Sequence, residues 1–349
     1  MQFCGMMLSD LGAEVISIQR PRQADNIAPF STIGLGRGRR YVSIDLRSED
    51  GLRTALAIAG RVDAVTEGFL PGVAENLGVG PDACAAANRR LVYGRMTGWG
   101  QTGPLSSQPG HNINMLAVAG VLTHLGRADG LPVPPTNLLA DGGGAMMLAL
   151  GVTAALLEAR TSGQGQVIDA SMLDGAALLS TMSHEMRNGG LWDDERGSNL
   201  NDSGAPFYEV YETADGRLVA IGAVEDQYWN ALIDLLEIHD ADVDRWDRAN
   251  WPWWRARIQE GLILRTQAEW SEIAEMAGVC LSPVLTMAQA ADHPHNRERG
   301  VFTRAGDSVI PRSAPRFSRT YPDTSPSMPT SDDQTLEVLA DLGIDINQL

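Results

Sequence analysis

RLVYGRMTGWGQTGP, residues 90–104, is the stretch that decides the fold class of this 349-residue chain. Its first half, residues 90–96, is a short apolar run bounded by arginine and glycine, which predicts a buried strand. Similar strand patterns occur at residues 13–18, 41–46, 62–69 and 167–171. Apolar residues at helical spacing separate several of these runs. Strands that alternate with helices indicate an α/β fold with a parallel sheet and helical crossovers.

The glycine-rich half of the same stretch, Gly98 to Gly103, matches the G-x-G-x-x-G pattern of dinucleotide-binding loops. That pattern needs a helix directly after the glycines, whereas Pro104 is followed by a polar segment without helical spacing. We therefore interpret it as a structural turn. His293 and His295 form the only close histidine pair, and no accompanying carboxylate or cysteine set is evident, so we predict no metal site.

A polar stretch rich in glycine and asparagine divides the chain. Before it, residues 111–125 and 141–160 are candidate helices, the second apolar all round and therefore predicted to be buried. After it, strand patterns at residues 207–212 and 217–222 flank an Ala-Asp-Gly turn and predict a hairpin. We predict a large domain at residues 1–187, a linker at 188–204, a small α+β domain at 205–309, and an extended return segment with a C-terminal helix at 310–349.

Charge and cysteine content exclude several function classes. The chain has 27 Lys and Arg against 44 Asp and Glu, a formal charge of −17, which disfavours binding to nucleic acid and to anionic membranes. The three cysteines are scattered, which argues against disulfides and a zinc site and favours the reducing cytoplasm. We find no apolar run of about 18 residues and no signal peptide, so a membrane span is not expected.

An anionic ligand would need a local basic patch on such an acidic protein. Residues 20–40 contain five arginines against the single carboxylate of Asp25, a formal sum of +4. Arginine suits phosphate recognition because its guanidinium presents several N–H donors. The alternative interpretation is a solvated basic loop. The arginines concerned are Arg20, Arg22, Arg37, Arg39 and Arg40.

Several separate segments, in the same order, carry a resemblance to a known family. They are Arg95 to Pro104, Gly110 to Asn114, Asn137 to Gly144, Gly163 to Asp169, Ser203 to Tyr208 and Ala314 to Arg319. Together they resemble the α-methylacyl-CoA racemases of the family III CoA-transferase (CaiB/BaiF) superfamily. The resemblance runs nearly from end to end of the chain.

This resemblance implies a fold, an assembly and a reaction. The fold is a Rossmann-like large domain with a smaller α+β domain, and two chains interlock into a homodimer. The reaction inverts the α-carbon of a 2-methylacyl-CoA by two-base proton transfer, with no cofactor beyond the CoA of the substrate. The family's two bases fall on His111 and Asp141, and its auxiliary glutamate and tyrosine fall on Glu225 and Tyr208.

The resemblance also implies a CoA site. Its residues are Arg20, Ile44, Asp45, Leu46, Arg47, Gly68, Phe69, Gly110 and Asn114. The acyl-CoA substrate and a second copy of the chain are therefore the expected partners.

The chemistry accounts for these residue types. The proton next to a thioester carbonyl is weakly acidic, so its removal requires a positioned base and stabilisation of the enolate oxygen. An imidazole on one face and a carboxylate on the other can exchange roles, and the backbone N–H of Asn112 is our candidate for the enolate oxygen. Both bases are predicted at helix starts, where Asp141 would be favoured as the anion. A plain capping role for each is the alternative interpretation.

Three departures from the family pattern are visible. The family usually opens with a strand and a Gly/Pro-rich loop ahead of residues 3–8, so we expect the strand to be missing from the sheet. Close racemase relatives have aspartate where this chain has Asn112. Arginines that hold CoA phosphates in relatives are replaced by Leu70 and Asn76.

Two other functions compete with racemisation. In a family III CoA-transferase the residue matching Asp141 is a nucleophile that forms an acyl anhydride. His111 favours racemisation, because a transferase does not need a second base. The other competitor is an N-terminally truncated, inactive, CoA-binding homologue.

Overall fold

The computed structural model describes residues 1–21, 34–239, 243–306, 308–320 and 333–345. These residues form two compact units. The first contains residues 1–119, 136–179 and 294–349, and the second contains residues 120–135 and 180–293. The division thus assigns residues 120–135 to the second unit and residues 294–309 to the first.

The first five strands of the chain, all in the first unit, pair in parallel, which confirms the predicted α/β class. Strand β1 (Val15–Gln19) pairs with β2 (Arg39–Ser43). Strand β4 (Val92–Thr97) lies between β3 (Ala64–Glu67) and β5 (Val167–Ser171). Within the described residues, no hydrogen bonds join the two sheets. All six residues of β4 are buried, as its apolar sequence predicts.

Helices connect and cover these strands. Those of the first unit up to residue 179 are α1 (Gln2–Asp10), α2 (Glu49–Ala59), α3 (Val73–Asn76), α4 (Pro81–Ala87), α5 (Asn112–Val118), α6 (Gly143–Ser162) and α7 (Met172–Leu179). The start of α2 illustrates the local cause: Ser48 accepts a hydrogen bond from the amide of Gly51, and two carboxylates follow it in the first turn.

The helix predicted at residues 111–125 is shorter in the structure. It ends at Val118, where Gly120 adopts a φ of 76°, and only a short 3₁₀ turn, Leu122–His124, follows. Glycine reaches this left-handed conformation without steric penalty, so it stops the helix.

Helix α6 packs on β4 and β5, but the prediction that it is buried all round is wrong. Leu148 and Val152 are buried in the core, whereas Met146, Leu150 and Leu157 are 48%, 64% and 69% exposed. By length and composition the segment Leu138–Ser162 could cross a membrane, and 44% of its 18-residue apolar window is buried within the protein. The exposed residues recur at helical spacing and form one apolar face.

The second unit has an antiparallel sheet and an aromatic core. Strand β6 (Tyr208–Glu212) pairs with β7 (Leu218–Gly222), which confirms the predicted hairpin, and β7 pairs with β8 (Leu281–Pro283). The buried guanidinium of Arg245 lies about 5 Å from three aromatic rings. Its helices are α8 (Thr181–Asn188), α9 (Asp226–Leu235), α10 (Trp251–Leu262), α11 (Gln267–Ala277) and α12 (Met287–Asp292).

The last part of the chain returns to the first unit. It contains α13 (Pro294–Arg299), the antiparallel pair β9 (Phe302–Ala305) and β10 (Ser308–Pro311), and α14 (Thr335–Asp341). Val338 and Leu339 of α14 are buried against Val42 and Ile44, so the predicted C-terminal helix docks beside β2. Much of the predicted extended segment lies outside the described residues.

Candidate active site

His111 immediately precedes α5. Its backbone N–H donates to Oδ1 of Asn114 at 3.0 Å, and the N–H of Asn114 donates to the His111 carbonyl at 2.8 Å. These reciprocal bonds form the first turn of the helix and fix the backbone of His111 at its entrance. Asn114, which the family pattern places in the CoA site, therefore also caps α5.

Asp141 lies in a π-helical turn, Leu138–Gly142, that leads into α6. Turns of this type are rare and are often found at functional sites. Burial raises the pKa of Asp141 above its ordinary value, while the Met1 amino group and His111 oppose part of the rise. The helix dipole alone predicts that Asp141 is favoured as the anion. In the structure, the loss of hydration on burial outweighs that effect.

The side chain of Asn112 joins the two segments. Its Oδ1 accepts hydrogen bonds from the amides of Ala140 and Asp141, both at 3.0 Å, and its Nδ2 donates to the carbonyl of Thr136 at 2.8 Å. Since consecutive Cα atoms are about 3.8 Å apart, these contacts hold the backbones of His111 and Asp141 within about 12 Å of each other. The sequence predicts a role only for the backbone N–H of Asn112, which lies in the first turn of α5, where amides have no intrahelical acceptor.

Close packing of α7 supports the beginning of α6. A Cβ atom on Gly144 would approach the Met172 backbone to 3.0 Å, and one on Gly175 would approach the Gly144 amide to 2.7 Å. Any larger side chain at these glycines would push the helices apart. The glycine run after Asp141 thus lets α7 pack directly against the segment that carries the carboxylate.

A cleft of about 330 Å³ opens beside His111. It brings together four residues predicted for the site, Gly68, Phe69, Gly110 and His111, and it is also bordered by Trp99 and Met172. Leu70, one of the positions where relatives carry arginine, lines the same cleft and is 48% exposed. A partly apolar cleft with few polar groups is typical of small-molecule sites.

A buried ion pair adjoins this cleft and was not predicted from the sequence. Nε of Arg95 donates to Glu67 at 2.8 Å, and the same guanidinium donates to Glu75 at 2.7 Å. The second carboxylate oxygen of Glu67 accepts from the amide of Phe69 at 2.6 Å. The network therefore holds the Gly68–Phe69 wall of the cleft. The only sequence signal was charge inside two strand patterns that are otherwise mainly apolar.

The residues predicted for CoA at the ends of β1 and β2 divide into two groups. Arg20, Asp45 and Arg47 are exposed, and the amide of Ile44 donates to the Gln19 carbonyl, which keeps the two strand ends adjacent. Ligands of parallel α/β folds bind at such carboxyl ends. The side chain of Ile44, in contrast, is buried in the core and is available to a ligand only through its backbone.

Leu46 belongs with Ile44 to the group of predicted CoA residues whose side chains face the core. It is partly buried and packs against the same core as Ile44. We therefore expect its backbone, rather than its side chain, to face a ligand.

Two arginines of the predicted basic patch form ion pairs within the first unit, and a third bonds a backbone carbonyl. Arg37 is buried and pairs with Asp10. Arg40 bonds Glu14 and, at 2.8 Å, Asp341 of α14. Arg39 donates to the Gln2 carbonyl.

The predicted basic patch contains two further arginines, Arg20 and Arg22. Arg22 and Asp25 lie outside the described residues. Arg20 has no ion pair with any residue that the structure describes.

Two predicted auxiliary residues belong to the second unit. Glu225 directly precedes α9, and Tyr208 begins β6 with its side chain 44% exposed. Their action on His111 and Asp141 stays a prediction.

The cysteines offer no competing nucleophile near the cleft. Burial raises the pKa of the Cys4 thiol to about 11, so the thiolate is scarce at neutral pH.

Among the described residues no group of three His, Cys, Asp or Glu side chains is arranged to hold a metal ion. That no metal is needed stays a prediction.

Comparison with known proteins places this chain in a family. The chain belongs to CoA-transferase family III, whose model matches residues 1–335. The predicted superfamily is thus confirmed.

Among its relatives, the chain is 40% identical to α-methylacyl-CoA racemase of Mus musculus, over 98% of this chain and 89% of the relative. It is 39% identical to the Homo sapiens racemase, over 91% and 83%. A crystal structure of the Mycobacterium tuberculosis protein Rv3272 matches with a TM-score of 0.80 and 28% identity, covering 96% of this chain and 94% of that one.

Proposed function

We propose that this protein inverts the α-carbon of 2-methylacyl-CoA thioesters by 1,1-proton transfer. The observation that carries the proposal is the link between the two candidate bases: the residue after His111 binds the amide of Asp141. The two relatives at about 40% identity are named as racemases of this class of substrate.

In one direction His111 removes the α-proton from one face of the carbon, and Asp141 delivers a proton to the other. For the opposite enantiomer the roles reverse. The raised pKa of Asp141 suits this exchange, because a carboxyl group with an ordinary pKa would be a poor proton donor near neutrality. The amide of Asn112 donates to the enolate oxygen. Glu225 and Tyr208 are the auxiliary residues of this mechanism, as the family pattern implies.

CoA binds along the ends of β1 and β2. The exposed guanidinium groups of Arg20 and Arg47 pair with its phosphates, while Asp45 and the backbones of Ile44 and Leu46 contact the nucleotide. The pantetheine arm follows Gly68 and Phe69 to the cleft at Gly110 to Asn114. The CoA of the substrate supplies the thioester, and no further cofactor takes part.

A second copy of the chain covers the apolar face of α6. Met146, Leu150 and Leu157 expose a continuous stripe that a lone soluble chain would leave in water. The protein is in this proposal an interlocked homodimer of the cytoplasm, where its free cysteines stay reduced. Its formal charge of −17 keeps it from nucleic acid and from anionic membranes.

CoA transfer is the second candidate function. It is favoured by relatives such as the acetyl-CoA:oxalate CoA-transferase of Acetobacter aceti, 29% identical over 94% of this chain. In that reaction the carboxylate of Asp141 attacks the thioester carbonyl, expels the CoA thiolate and forms a mixed anhydride. A racemase exchanges the α-proton without an acceptor acid, whereas a transferase consumes an acceptor acid.

Proton NMR of (S)-2-methylacyl-CoA in D₂O tests the proposal. The wild-type protein is expected to replace the α-proton by deuterium and to generate the (R) epimer without any added acid. His111→Ala and Asp141→Ala should each lower the rate at least about 10³-fold, since each removes one of two required proton carriers. Asp174→Ala, an exposed carboxylate on α7, is the control and should exchange normally. Full exchange in both site variants would refute the assignment.

A further inference from the structure

The carboxamide of Asn112 is placed to act on the peptide that carries Asp141. The residue is only 7% exposed, and its side chain bonds three backbone groups, all 24 or more positions further along the chain. One oxygen accepts from two successive amides, and the nitrogen donates to the Thr136 carbonyl. Such a bond set determines the orientation of the turn as well as its distance from α5.

The amides of Ala140 and Asp141 need this external acceptor. They lie in the turn before α6, where the first N–H groups of a helix have no intrahelical partner. Ala140 is fully buried, so water cannot satisfy its amide. A buried N–H without a partner is costly, and the oxygen of Asn112 removes that cost for both groups. Two amides directed at one oxygen also fix the direction in which the Asp141 side chain leaves the backbone.

We infer that Asn112 is a positioning residue whose side chain, rather than only its backbone, sets the separation and orientation of His111 and Asp141. Its effect on catalysis rests on the proposed function. Its effect on the Asp141 peptide does not, because the hydrogen bonds exist whatever the reaction.

The charges around Asp141 make aspartate an informative replacement for Asn112. The charged groups acting on Asp141 are the Met1 amino group and His111. The packed helix α7 carries only the exposed Asp174, and α6 has no ionisable side chain before Glu158. A carboxylate at position 112 keeps an acceptor for the two amides but adds a negative charge close to Asp141, which disfavours its ionisation.

The experiment compares Asn112→Ala, Asn112→Asp and a matched control, Asn88→Asp. Asn88 is an asparagine of the first unit that also bonds backbone groups through both its oxygen and its nitrogen. Deuterium exchange is measured from each epimer between pH 5 and 9 to give kcat and KM. NMR hydrogen exchange of the Ala140 and Asp141 amides is measured on the same proteins.

Removal of the side chain should separate positioning from binding. Asn112→Ala is expected to lower kcat roughly 100-fold and change KM less than about twofold, as for a displaced catalytic group. Asn112→Asp should recover most of kcat at high pH. Where Asp141 is the base, the acidic limb of its profile should move up by about one pH unit. Asn88→Asp should leave the limb in place.

Two results would overturn the inference. One is a kcat of Asn112→Ala that stays within twofold of wild type. The other is an Asn112→Asp variant no better than the alanine variant with an unmoved pH profile, which would mean a purely structural role. If the wild type shows no exchange at the α-carbon, the proposed function fails. The hydrogen exchange of the amides then tests the inference by itself. Protection of the Ala140 and Asp141 amides against exchange must still fall at least about tenfold in Asn112→Ala. Unchanged protection would reject it.

Discussion

Nε of Arg95 and Oε1 of Glu67 lie 2.8 Å apart with both side chains less than a tenth exposed. The parallel pairing of β3 with β4 sets Glu67 opposite Arg95. The other oxygen of Glu67 accepts from the Phe69 amide, so the ion pair supports a wall of the cleft as well as the sheet.

Removing one side of this pair should be costly. Glu67→Ala leaves the buried guanidinium of Arg95 with only the partly exposed Glu75, and we expect a loss of about 3 kcal/mol in the free energy of unfolding. Glu75→Ala, which removes the exposed partner, should cost less than about 1 kcal/mol. Urea denaturation measures both, and equal losses would contradict the dominance of the buried contact.

Asp141 should reduce stability at neutral pH. Burial raises its folded-state pKa, so ionisation costs free energy in the native protein. That cost is absent below the unfolded pKa of about 3.9 and grows as the pH rises from there through the folded pKa. Asp141→Asn should therefore raise the Tm by about 2 °C at pH 7, and the gain should shrink toward pH 4. A Tm difference that does not depend on pH would argue against this origin.

Arg20 and Arg47 should bind CoA phosphates. Replacing either by alanine is expected to weaken CoA binding roughly tenfold, with the effect reduced at high salt. Isothermal titration calorimetry at low and physiological ionic strength measures this. Arg53→Ala is the control, because that exposed arginine is engaged with Glu49 and Asp50 on α2. An equal loss in the control would indicate a general effect of charge.

The apolar face of α6 should hold two chains together. Leu150→Glu places a charge in the middle of the stripe and should convert a dimer into monomers, or shift the midpoint of dissociation at least about 100-fold in concentration. Analytical ultracentrifugation gives the mass. Met287→Glu, at a methionine that is 92% exposed on α12, is the matched control and should remain a dimer. A wild-type protein that is monomeric at micromolar concentration would refute the assembly.

Elements that depend on local interactions are predictable from the sequence, and those that depend on distant contacts are less so. The strand at residues 167–171 and the hairpin of the second unit were predicted closely, because alternation and turn residues act locally. The helix from residue 111 was predicted too long, since its apolar residues continue past the glycine that ends it. Burial of α6 was overestimated, because an apolar composition alone does not tell which faces of a helix pack in the core.

For the site, His111 and Asp141 were found through motifs, and the structure places both in the first unit with their backbones linked. The arginines were harder to judge. Arg37 and Arg40 have the right charge for a phosphate, yet each is paired with a carboxylate, in one case across some 300 residues of chain.

By itself the sequence determined the α/β class, the order of the elements and the identity of the two candidate bases, because periodicity, turn residues and motif chemistry are properties of short segments. Only the tertiary structure decided which charges are neutralised internally, that Glu67 supports the cleft, and that the side chain of Asn112 reaches the Asp141 turn. Those features depend on pairing between groups far apart in the chain, and a side chain's partner is set by packing, which the local sequence does not encode.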